Sequence, residues 1–422
     1  MPTNGDPQLV ELLLRTADGR DEEILQLANR TTFRPVLEVL FAEVMLDLLP
    51  EGDRRALVIH LDVDAGSYAH GYRVRVDGDD VSVEALPFST GDRPAPAADV
   101  DVHLVTTLIE FVGLYRAVFG AEAARDGHRT VGDLFAAGSR VADLDWRELF
   151  ARRADERADL TRLAVRLNVD KWGTSWYTPH YHRFFQTLRE RPVKILEIGI
   201  GGYADPNAGG ASLQMWKRYF PRGLVYGLDI ADKSGIDTRR VRTFRGDQGD
   251  PEFLRRVIRE IGPVDVVVDD GSHFCHHQII SFQTLFPHVA AGGFYAIEDL
   301  LTSYWPGFGG SSTEPDNPRG TVGYLKSLVH GLNHEEFLLD DYEPSYTDLN
   351  IVGIYFAHNV AIVEKGRNQE GSPGYLVPDE IKRAGLEDVP FEEWGPGFGK
   401  VRDENEATDA TDATGPAGTA GV

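Results

Sequence analysis

Residues 193–202 read VKILEIGIGG, and this stretch predicts a β-strand that runs directly into a glycine-rich turn. Short apolar runs with β-branched residues are typical of strands that are buried on both faces of a sheet. Glycines at the end of such a strand let the backbone turn sharply and approach a ligand closely. We therefore expect Val193–Ile198 to be the first strand of an α/β sheet, with a ligand site at its carboxyl end.

The segments that follow this turn alternate between helical and strand-like patterns. We predict helices at Ser212–Tyr219, Pro251–Ile261 and His277–Val289. The strands predicted to alternate with them are Leu224–Ile230, Val264–Asp269 and Gly293–Ile297, and Val241–Phe244 is a further strand-like stretch. Strands that alternate with helices imply a parallel sheet with right-handed crossovers. Two later strands, Ile351–Ala357 and Val360–Glu364, are close enough in sequence to form a hairpin. The second part of the chain is therefore expected to be an α/β domain over residues 165–400.

The first part of the chain has a different pattern, which predicts a smaller α+β domain over residues 1–155. Residues 1–55 have helical apolar spacing, and helical stretches return at Thr107–Phe119 and Val131–Leu167. The strands expected between them are Leu57–Val63, Tyr72–Val76, Val81–Leu86 and Val102–Val105, with a loop at Pro94–Ala98. At the other end, residues 403–422 are rich in Ala, Thr, Asp and Gly. They have almost nothing apolar to bury, so we expect a disordered tail there.

Composition and charge exclude several classes of function. The chain has 422 residues, a formal net charge of −24 and one cysteine, Cys275. Nucleic-acid binding is not expected of so acidic a chain, because phosphate contacts need clustered Lys and Arg. A single cysteine allows no internal disulfide, and no apolar run approaches the ~20 residues that span a bilayer. Residues 1–20 show no signal-peptide pattern, so we expect a cytoplasmic protein without a membrane partner.

Polar residues around the glycine turn indicate which cofactor could bind there. The turn by itself is as compatible with NAD as with S-adenosylmethionine. Glu197 lies in the strand before the glycines, where a carboxylate suits the cationic amino and sulfonium groups of S-adenosylmethionine better than a pyrophosphate. Asp229 ends the next strand, where it either accepts both ribose hydroxyls or caps a helix. Gly246-Asp247-Gln248 either hydrogen-bonds the adenine amine or forms the turn before the next helix.

Two neighbouring strands run into acidic residues. Asp269 and Asp270 end one apolar stretch, and Glu298 and Asp299 end the next. Because ligands of doubly wound sheets lie outside the carboxyl ends of the strands, these acids are expected at one edge of the sheet. Clustered carboxylates repel one another unless a positive charge compensates, and Mg²⁺ is the default hard cation for oxygen ligands. The alternative is that the acids cap helices or face solvent separately.

His273 lies three residues after Asp270 and is the candidate general base. An imidazole can accept a proton near neutral pH, and a metal ion that holds a substrate hydroxyl makes that hydroxyl more acidic. The alternative is a structural histidine that hydrogen-bonds to the backbone. A zinc site with Cys275, His276 and His277 is also conceivable, but carboxylates dominate this neighbourhood and the chain has no second thiol.

The segment Asp170–Tyr181 reads DKWGTSWYTPHY and is unusually dense in aromatic and hydroxyl side chains. Lys171 is the first lysine of the chain, since every earlier basic residue except histidine is an arginine. The segment could close over the methionine carboxylate of the cofactor with Tyr177 and Thr178 as donors, or pack as an amphipathic helix. The long loop Thr302–Pro318, rich in Gly, Ser and Pro, is expected to be either a functional lid or disordered.

The motifs DKWGTSWYTPHY, LEIGIGG, YGLDI, GDQGD, VVDDGSH and AIEDL cover residues 170–300, and together they resemble the metal-dependent macrolide-sugar O-methyltransferases. These enzymes methylate a deoxyhexose on tylosin-type and mycinamicin-type antibiotics. The resemblance implies a Rossmann-like S-adenosylmethionine-dependent methyltransferase domain, with Mg²⁺ held by Asp270, Glu298 and Asp299 and with His273 as the catalytic base. The candidate cofactor contacts are Tyr177, Thr178, Glu197, Gly199, Gly201, Ser212, Asp229, Asp247, Gln248 and Asp269.

The resemblance also implies which partners the chain has. Some members carry an N-terminal domain, form tetramers and methylate the sugar 2-hydroxyl, so we expect a homo-oligomer and a glycosylated natural product as the small-molecule substrate. Two other hypotheses stay open, namely an NAD-dependent oxidoreductase and a non-catalytic scaffold derived from a decayed enzyme. Glu197 and the acidic clusters count against the oxidoreductase. The complete set of metal and base candidates counts against the scaffold.

Overall fold

A computed structural model describes residues 7–30, 33–45, 57–65, 68–77, 80–88, 100–119, 133, 159–339, 341–371, 381–383, 385 and 388–390. The expected loop at residues 94–98, most of the expected helical stretch at residues 131–167 and the expected tail at residues 403–422 lie outside these ranges. In the described part of the chain, no helix has the length and apolar character that crossing a membrane requires. Two β-sheets organise the described residues, one in each part of the chain.

The smaller sheet belongs to the N-terminal part. The described elements there are α1 Pro7–Ala17, α2 Asp21–Arg30, α3 Phe33–Met45, β1 Leu57–Ala65, β2 Tyr68–Asp77, β3 Asp80–Leu86, β4 Val100–Thr107 and α4 Leu108–Phe119. The strand order is β3-β2-β1-β4, in which β1 is antiparallel to β2 and parallel to β4. Helix residues such as Val10 and Leu13 are buried in one apolar core with Ile59 and Leu61 of β1. The mixed helices and strands confirm the pattern predicted for this part.

The larger sheet has seven strands in the described residues, and helices connect most of its consecutive strands. The elements are α5 Leu160–Arg166, α6 Thr178–Phe185, β5 Lys194–Ile198, α7 Ala211–Tyr219, β6 Leu224–Asp229, β7 Val241–Arg245, α8 Pro251–Ile261, β8 Val264–Asp269, α9 Cys275–Leu285, β9 Val289–Glu298, α10 Thr321–Ser327, α11 Tyr346–Asn350, β10 Ile351–Ala357 and β11 Val360–Lys365. Short 3₁₀ turns lie at Gln186–Leu188, Ser234–Ile236, Phe286–His288, Leu300–Tyr304, Pro306–Phe308 and His330–Glu336.

The order of strands in the larger sheet is β10-β11-β9-β8-β5-β6-β7. Strands β5 to β9 are parallel, whereas β11 is antiparallel to both β9 and β10. Parallel strands bring their carboxyl ends to the same edge, so the chain leaves β5, β6, β8 and β9 at one rim. Ile198, Asp229, Asp269 and Glu298 are the last residues of these strands. The parallel sheet and the late hairpin are confirmed as predicted.

The boundary predicted between α9 and β9 is wrong. The helix expected to reach Val289 ends at Leu285, because Pro287 in the next turn has no N–H to continue the helical hydrogen bonds. Val289 instead begins β9, four residues before the strand start expected at Gly293. The last strand of the parallel set is therefore longer than its apolar pattern suggests.

A buried arginine joins the N-terminal helices to the larger sheet. The Arg240 Nε donates to Glu43 Oε2 of α3 at 2.8 Å. The two terminal nitrogens of the same guanidinium donate to the carbonyl oxygens of Lys217, Phe220 and Gly223 at 3.0, 3.2 and 2.8 Å. Both Arg240 and Glu43 are buried. The guanidinium therefore satisfies acceptors from both parts of the chain.

We expect Arg240→Met to lower the free energy of unfolding by about 3–5 kcal/mol, because breaking a buried pair leaves Glu43 and three carbonyl oxygens with fewer donors. Arg242→Met is the matched control, since Arg242 pairs with Glu260 on the surface and such pairs contribute about 0–1 kcal/mol. Urea unfolding of both variants measures the difference. Equal midpoints for the two variants would contradict a structural role for Arg240.

Candidate active site

The acidic residues predicted at one edge of the sheet are brought together there. Asp269 ends β8 and pairs with Ile297 of β9 in the parallel register, so Asp270 and Glu298 follow from neighbouring strands. One candidate ligand atom from each of Asp270, His273 and Asp299 lies within 4.8 Å of the other two. All three side chains are partly exposed. This group could hold a cation and contact a substrate.

Two members of this group, His273 and Asp299, have a strained backbone conformation. His273 has a φ of +58° and Asp299 a φ of +52°, in the left-handed region that few non-glycine residues adopt. Such strain clusters at functional sites. The His273 Nε2 lies 3.6 Å from Asp299 Oδ2, which is too long for a hydrogen bond. His273 Nδ1 is buried and has no hydrogen-bond partner among the described residues.

A fully buried lysine lies behind the acidic group. Lys171 Nζ is 2.8 Å from Asp270 Oδ2, 2.7 Å from Glu298 Oε1 and 3.2 Å from Glu197 Oε1. Burial by itself would lower the pKa of the Lys171 ammonium, but the carboxylates of Asp270, Glu298 and Glu197 raise it well above its ordinary value. Lys171 is therefore a fixed positive charge among buried carboxylates.

Two tyrosines and an asparagine also bind the acidic residues. The Tyr177 hydroxyl donates to Asp299 Oδ1 at 2.7 Å, and Asn359 Nδ2 donates to the same oxygen at 3.0 Å. The Tyr181 hydroxyl donates to Glu298 Oε1 at 2.5 Å. Thr178 is buried at the start of α6, where its hydroxyl is 2.8 Å from that of Thr161. The hydroxyls of Tyr177 and Thr178, which were predicted to bind the cofactor, therefore have protein partners in this structure.

The glycine turn after β5 is packed directly against the acidic edge. Gly199 has a φ of +88°, and a Cβ at this position would lie 2.0 Å from the carbonyl oxygen of Asp270. Only glycine fits so close an approach between the two strand ends. Gly201 has a φ of +72° and faces open space, so a ligand can reach its backbone. The turn thus lies between the acidic group and the end of β6, where the Ile200 N–H donates to Asp229.

Glu197 and Asp229 flank this turn but differ in burial. Glu197 is fully buried, and its Oε2 accepts a hydrogen bond from the Ser212 hydroxyl at 2.7 Å. Burial raises the pKa of the Glu197 carboxyl, while Lys171 opposes the shift. Asp229 is half-buried and accepts the backbone N–H groups of Ile200 and Ala231 at 2.9 and 2.8 Å. Asp229, predicted either to accept the ribose hydroxyls or to cap a helix, therefore binds backbone N–H groups of the two turns and stays partly exposed.

Gln248 and Asp269 form a buried link beneath the acidic edge of the sheet. Gln248 Nε2 donates to Asp269 Oδ1 and to the Ser281 hydroxyl, both at 3.1 Å, and Gln248 Oε1 accepts the Ser272 N–H at 2.6 Å. Burial raises the pKa of the Asp269 carboxyl to about 6, although the Gln248 amide opposes the shift. Asp247 is exposed and accepts the Gly249 N–H at 2.8 Å. Of the pair predicted to contact adenine, only Asp247 faces solvent.

Comparison with known proteins identifies the family of the chain. No model of a known protein family matches it. It is 38% identical over 398 residues to the mycinamicin VI 2''-O-methyltransferase of Micromonospora griseorubida, which covers 90% of this chain and 96% of the relative. It is 37% identical over 394 residues to the demethylmacrocin O-methyltransferase of Streptomyces fradiae, covering 90% of this chain and 97% of the relative. The chain belongs to the macrolide-sugar O-methyltransferase family.

A solved structure of this O-methyltransferase family has the same fold. It is a methyltransferase from the mycinamycin biosynthetic pathway in complex with Mg, SAH and mycinamycin VI. It aligns with a TM-score of 0.66 at 36% identity, covering 89% of this chain and 98% of that chain. The Rossmann-like methyltransferase fold is therefore confirmed. The NAD-dependent oxidoreductase and the scaffold hypothesis, which the sequence left open, are set aside in favour of an O-methyltransferase.

In this methyltransferase, three side chains at the acidic group had no role assigned from sequence. Tyr181 and Asn359 were not singled out, and Lys171 was noticed only as the first lysine of the chain. The contrast between that lysine and the preceding arginines was a usable signal. Glu298 is also placed differently from its neighbours. It lies at the predicted edge, but its Oε1 is turned to Lys171 and Tyr181, outside the group formed by Asp270, His273 and Asp299.

Proposed function

We propose that this enzyme transfers the methyl group of S-adenosylmethionine to a sugar hydroxyl of a glycosylated polyketide or macrolide, with Mg²⁺ bound at the acidic group. The acceptor would be the 2-hydroxyl of a deoxyhexose. The relatives named for mycinamicin VI and demethylmacrocin and the solved complex with Mg, SAH and mycinamycin VI support this proposal. The observation that carries it is the convergence of Asp270, His273 and Asp299 within 4.8 Å of one another.

The residues at the acidic group fit a hard divalent cation. Asp270, Glu298 and Asp299 would hold Mg²⁺ through carboxylate oxygens, which are the ligands it prefers. When bound, the cation supplies a positive charge that orients a substrate hydroxyl and makes its proton more acidic. Among the described residues, each of these carboxylates keeps one oxygen without a protein hydrogen bond. These residues therefore supply both the negative charge and the unbonded carboxylate oxygens that a cation needs as ligands.

His273 is placed to take the proton that the acceptor hydroxyl releases. Its Nε2 faces Asp299 without a hydrogen bond, so that nitrogen is available to a hydroxyl in the same group. Methyl transfer forms a bond between the hydroxyl oxygen and the methyl carbon as the sulfonium bond breaks, and the proton goes to the imidazole. Alignment of these atoms at ~3 Å supplies most of the rate. The reaction therefore depends chiefly on where this chain holds its two substrates.

The cofactor would occupy the space beside the glycine turn. Gly199 and Gly201 shape its backbone wall, and Asp229 would contact the ribose from the end of β6. Asp247 is the exposed candidate near the adenine. Glu197, Gln248 and Asp269 stay candidates although they are buried and have protein partners. Ser212 is partly exposed and stays a candidate although its hydroxyl donates to Glu197. Tyr177 and Thr178 stay cofactor candidates without support from their present contacts.

An aromatic surface next to His273 suits the apolar part of a macrolide. The Phe274 ring lies 5.4 Å from Phe308, and Phe308 lies 5.9 Å from Trp305, measured between ring centroids. Phe274, Trp305 and Tyr304 are exposed. The loop that carries Trp305 is compact, because the N–H of Gly310 donates to the Trp305 carbonyl at 3.0 Å. The aglycone would pack on these rings while its sugar enters the acidic group.

The larger organisation of the protein is part of the same proposal. We infer an auxiliary domain over residues 1–155, a catalytic domain over residues 165–400 and a tail over residues 403–422. The two separate sheets support the first division. A homo-oligomer, with a tetramer as the expected size, would be tested by light scattering. The cytoplasm is the proposed compartment, with neither nucleic acid nor a membrane as partner.

The acceptor can be tested with matched substrates. We expect label from methyl-tritiated S-adenosylmethionine to appear on a macrolide that carries a deoxyhexose with a free 2-hydroxyl. The same macrolide without its sugar, and the 2-deoxy form of the glycoside, should accept no label. Chromatography of the products separates the three cases. Label on the aglycone would contradict sugar methylation, and label on the 2-deoxy glycoside would contradict the position.

A further inference from the structure

The three carboxylates proposed to hold Mg²⁺ share one pattern of hydrogen bonding. In each of them, protein donors bind a single oxygen, and among the described residues the other oxygen has no protein hydrogen bond. The oxygens that are held are Asp270 Oδ2, Glu298 Oε1 and Asp299 Oδ1. Hydrogen bonds to one oxygen restrict the rotation of a carboxylate and so limit the directions that its second oxygen can take. Such outer contacts commonly orient metal ligands in proteins.

One of the donors at Asp299, the Asn359 amide, is itself held by the backbone. Asn359 lies in the turn between β10 and β11, and its Oδ1 accepts the Leu301 N–H at 2.7 Å. Its Nδ2 then donates both to Asp299 Oδ1 at 3.0 Å and to the Tyr177 hydroxyl at 2.6 Å. Tyr177, Asn359 and Asp299 therefore form a closed triangle of hydrogen bonds. Rotation of the Asp299 carboxylate would break two of them.

The donors at Glu298 and Asp270 are held by burial. The Tyr181 ring is fully buried, stacks on Phe185 with 5.0 Å between ring centroids and meets Trp216 edge-on at 5.5 Å. Its hydroxyl therefore has little freedom to leave Glu298. Lys171 is also fully buried, and its Nζ bridges Glu298 Oε1 and Asp270 Oδ2. One ammonium group thus sets the spacing between the two carboxylates.

We propose that Lys171, Tyr177, Tyr181 and Asn359 are positioning residues that orient the three metal-binding carboxylates. In this role the segment that contains Lys171, Tyr177 and Tyr181 supports the cation site from behind and is not a clamp on the methionine carboxylate of the cofactor. The inference rests on the proposed function in taking a divalent cation as the ligand. It goes further because it assigns these four side chains the role of orienting the carboxylates whose oxygens they bind.

Tyrosine-to-phenylalanine variants test this role most cleanly, because they remove one hydroxyl and change neither charge nor ring packing. We expect Tyr177→Phe and Tyr181→Phe each to weaken Mn²⁺ binding about tenfold, which is typical of losing an outer-shell contact. Mn²⁺ serves as the probe because its binding can be titrated by electron paramagnetic resonance. The affinity for S-adenosylhomocysteine, measured calorimetrically in chelator, should change less than twofold. High Mg²⁺ should restore the turnover rate of both variants.

Tyr219→Phe is the matched control, since Tyr219 is a buried tyrosine whose hydroxyl bonds His182 Nδ1 at 2.9 Å, away from the carboxylates. It should leave Mn²⁺ affinity unchanged. Unaltered Mn²⁺ affinity in both Tyr177→Phe and Tyr181→Phe would overturn the proposal. Weaker S-adenosylhomocysteine binding at unchanged Mn²⁺ affinity would overturn it in favour of a cofactor clamp. Failure of the unaltered protein to bind Mn²⁺ would contradict the binding of a divalent cation at the acidic group, and with it the proposed function.

Discussion

Replacing His273 with alanine should lower the rate of methyl transfer by about 10²–10⁴-fold, the usual contribution of a positioned general base. The reason is that no other imidazole belongs to the group formed with Asp270 and Asp299 in the described residues. The affinity for S-adenosylhomocysteine should stay close to that of the unaltered protein, because His273 belongs to the group of Asp270 and Asp299 that we propose to bind the metal and the acceptor. Calorimetry and a labelled-methyl assay measure the two quantities.

Two further variants separate the base from the backbone at this position. His273 has a φ of +58°, which alanine adopts poorly, so His273→Asn is the companion variant because asparagine tolerates this region better. His276→Ala is the matched control, since His276 is exposed on the next helix and does not belong to the acidic group. Both His273 variants should lose activity, while His276→Ala should keep it. Normal turnover in His273→Asn would rule out His273 as the base.

Removal of divalent metal should abolish activity, and added Mg²⁺ should restore it. Without a cation, Lys171 is the one ammonium or guanidinium group among the described residues that pairs with the Asp270 and Glu298 carboxylates. Activity measured after dialysis against EDTA, and again after Mg²⁺ is returned, gives the result directly. Circular dichroism serves as the control, because the protein should keep its fold in chelator. Full turnover in EDTA would eliminate the metal from the mechanism.

The parallel sheet and its acidic edge could be predicted because both follow from local patterns. Each strand is a short apolar run, and the carboxyl ends of parallel strands meet without any knowledge of side-chain contacts. Asp270, His273 and Asp299 therefore come together as their positions in the sequence indicate. Pro287 was the overlooked local signal, since it ends a helix that apolar periodicity alone would continue.

The directions of individual side chains could not be predicted in this way. The sequence offered Tyr177 as a cofactor donor or as part of a packed helix, and it did not indicate that the hydroxyl donates to Asp299, which lies far away in sequence. Gln248 was expected to face adenine, and its amide is used inside the protein. Such contacts depend on the rotamer of each side chain and on packing between distant elements. Neither quantity is visible in the spacing of residue types.

Asn359 shows a further limit of local patterns. It contacts Asp299 only because Val360 of β11 pairs with Glu298 of β9 in an antiparallel register. The hairpin was predicted, but its neighbour in the sheet was not, and a hairpin pattern does not identify the strand beside which it is inserted. The contact could have been predicted if the sequence had shown that β11 pairs with β9 and in which register.

The antiparallel β11 also has a consequence for biosynthesis. A ribosome releases Asp270 and Asp299 well before Asn359, which reaches the edge of the sheet only when β11 is inserted beside β9. The glycine turn and the strands around it are thus synthesised early. The acidic cluster is complete only after β11 has been synthesised. Nascent chains stalled ahead of that strand should already fold the glycine turn, while the Asp299 carboxylate still lacks its contact with Asn359.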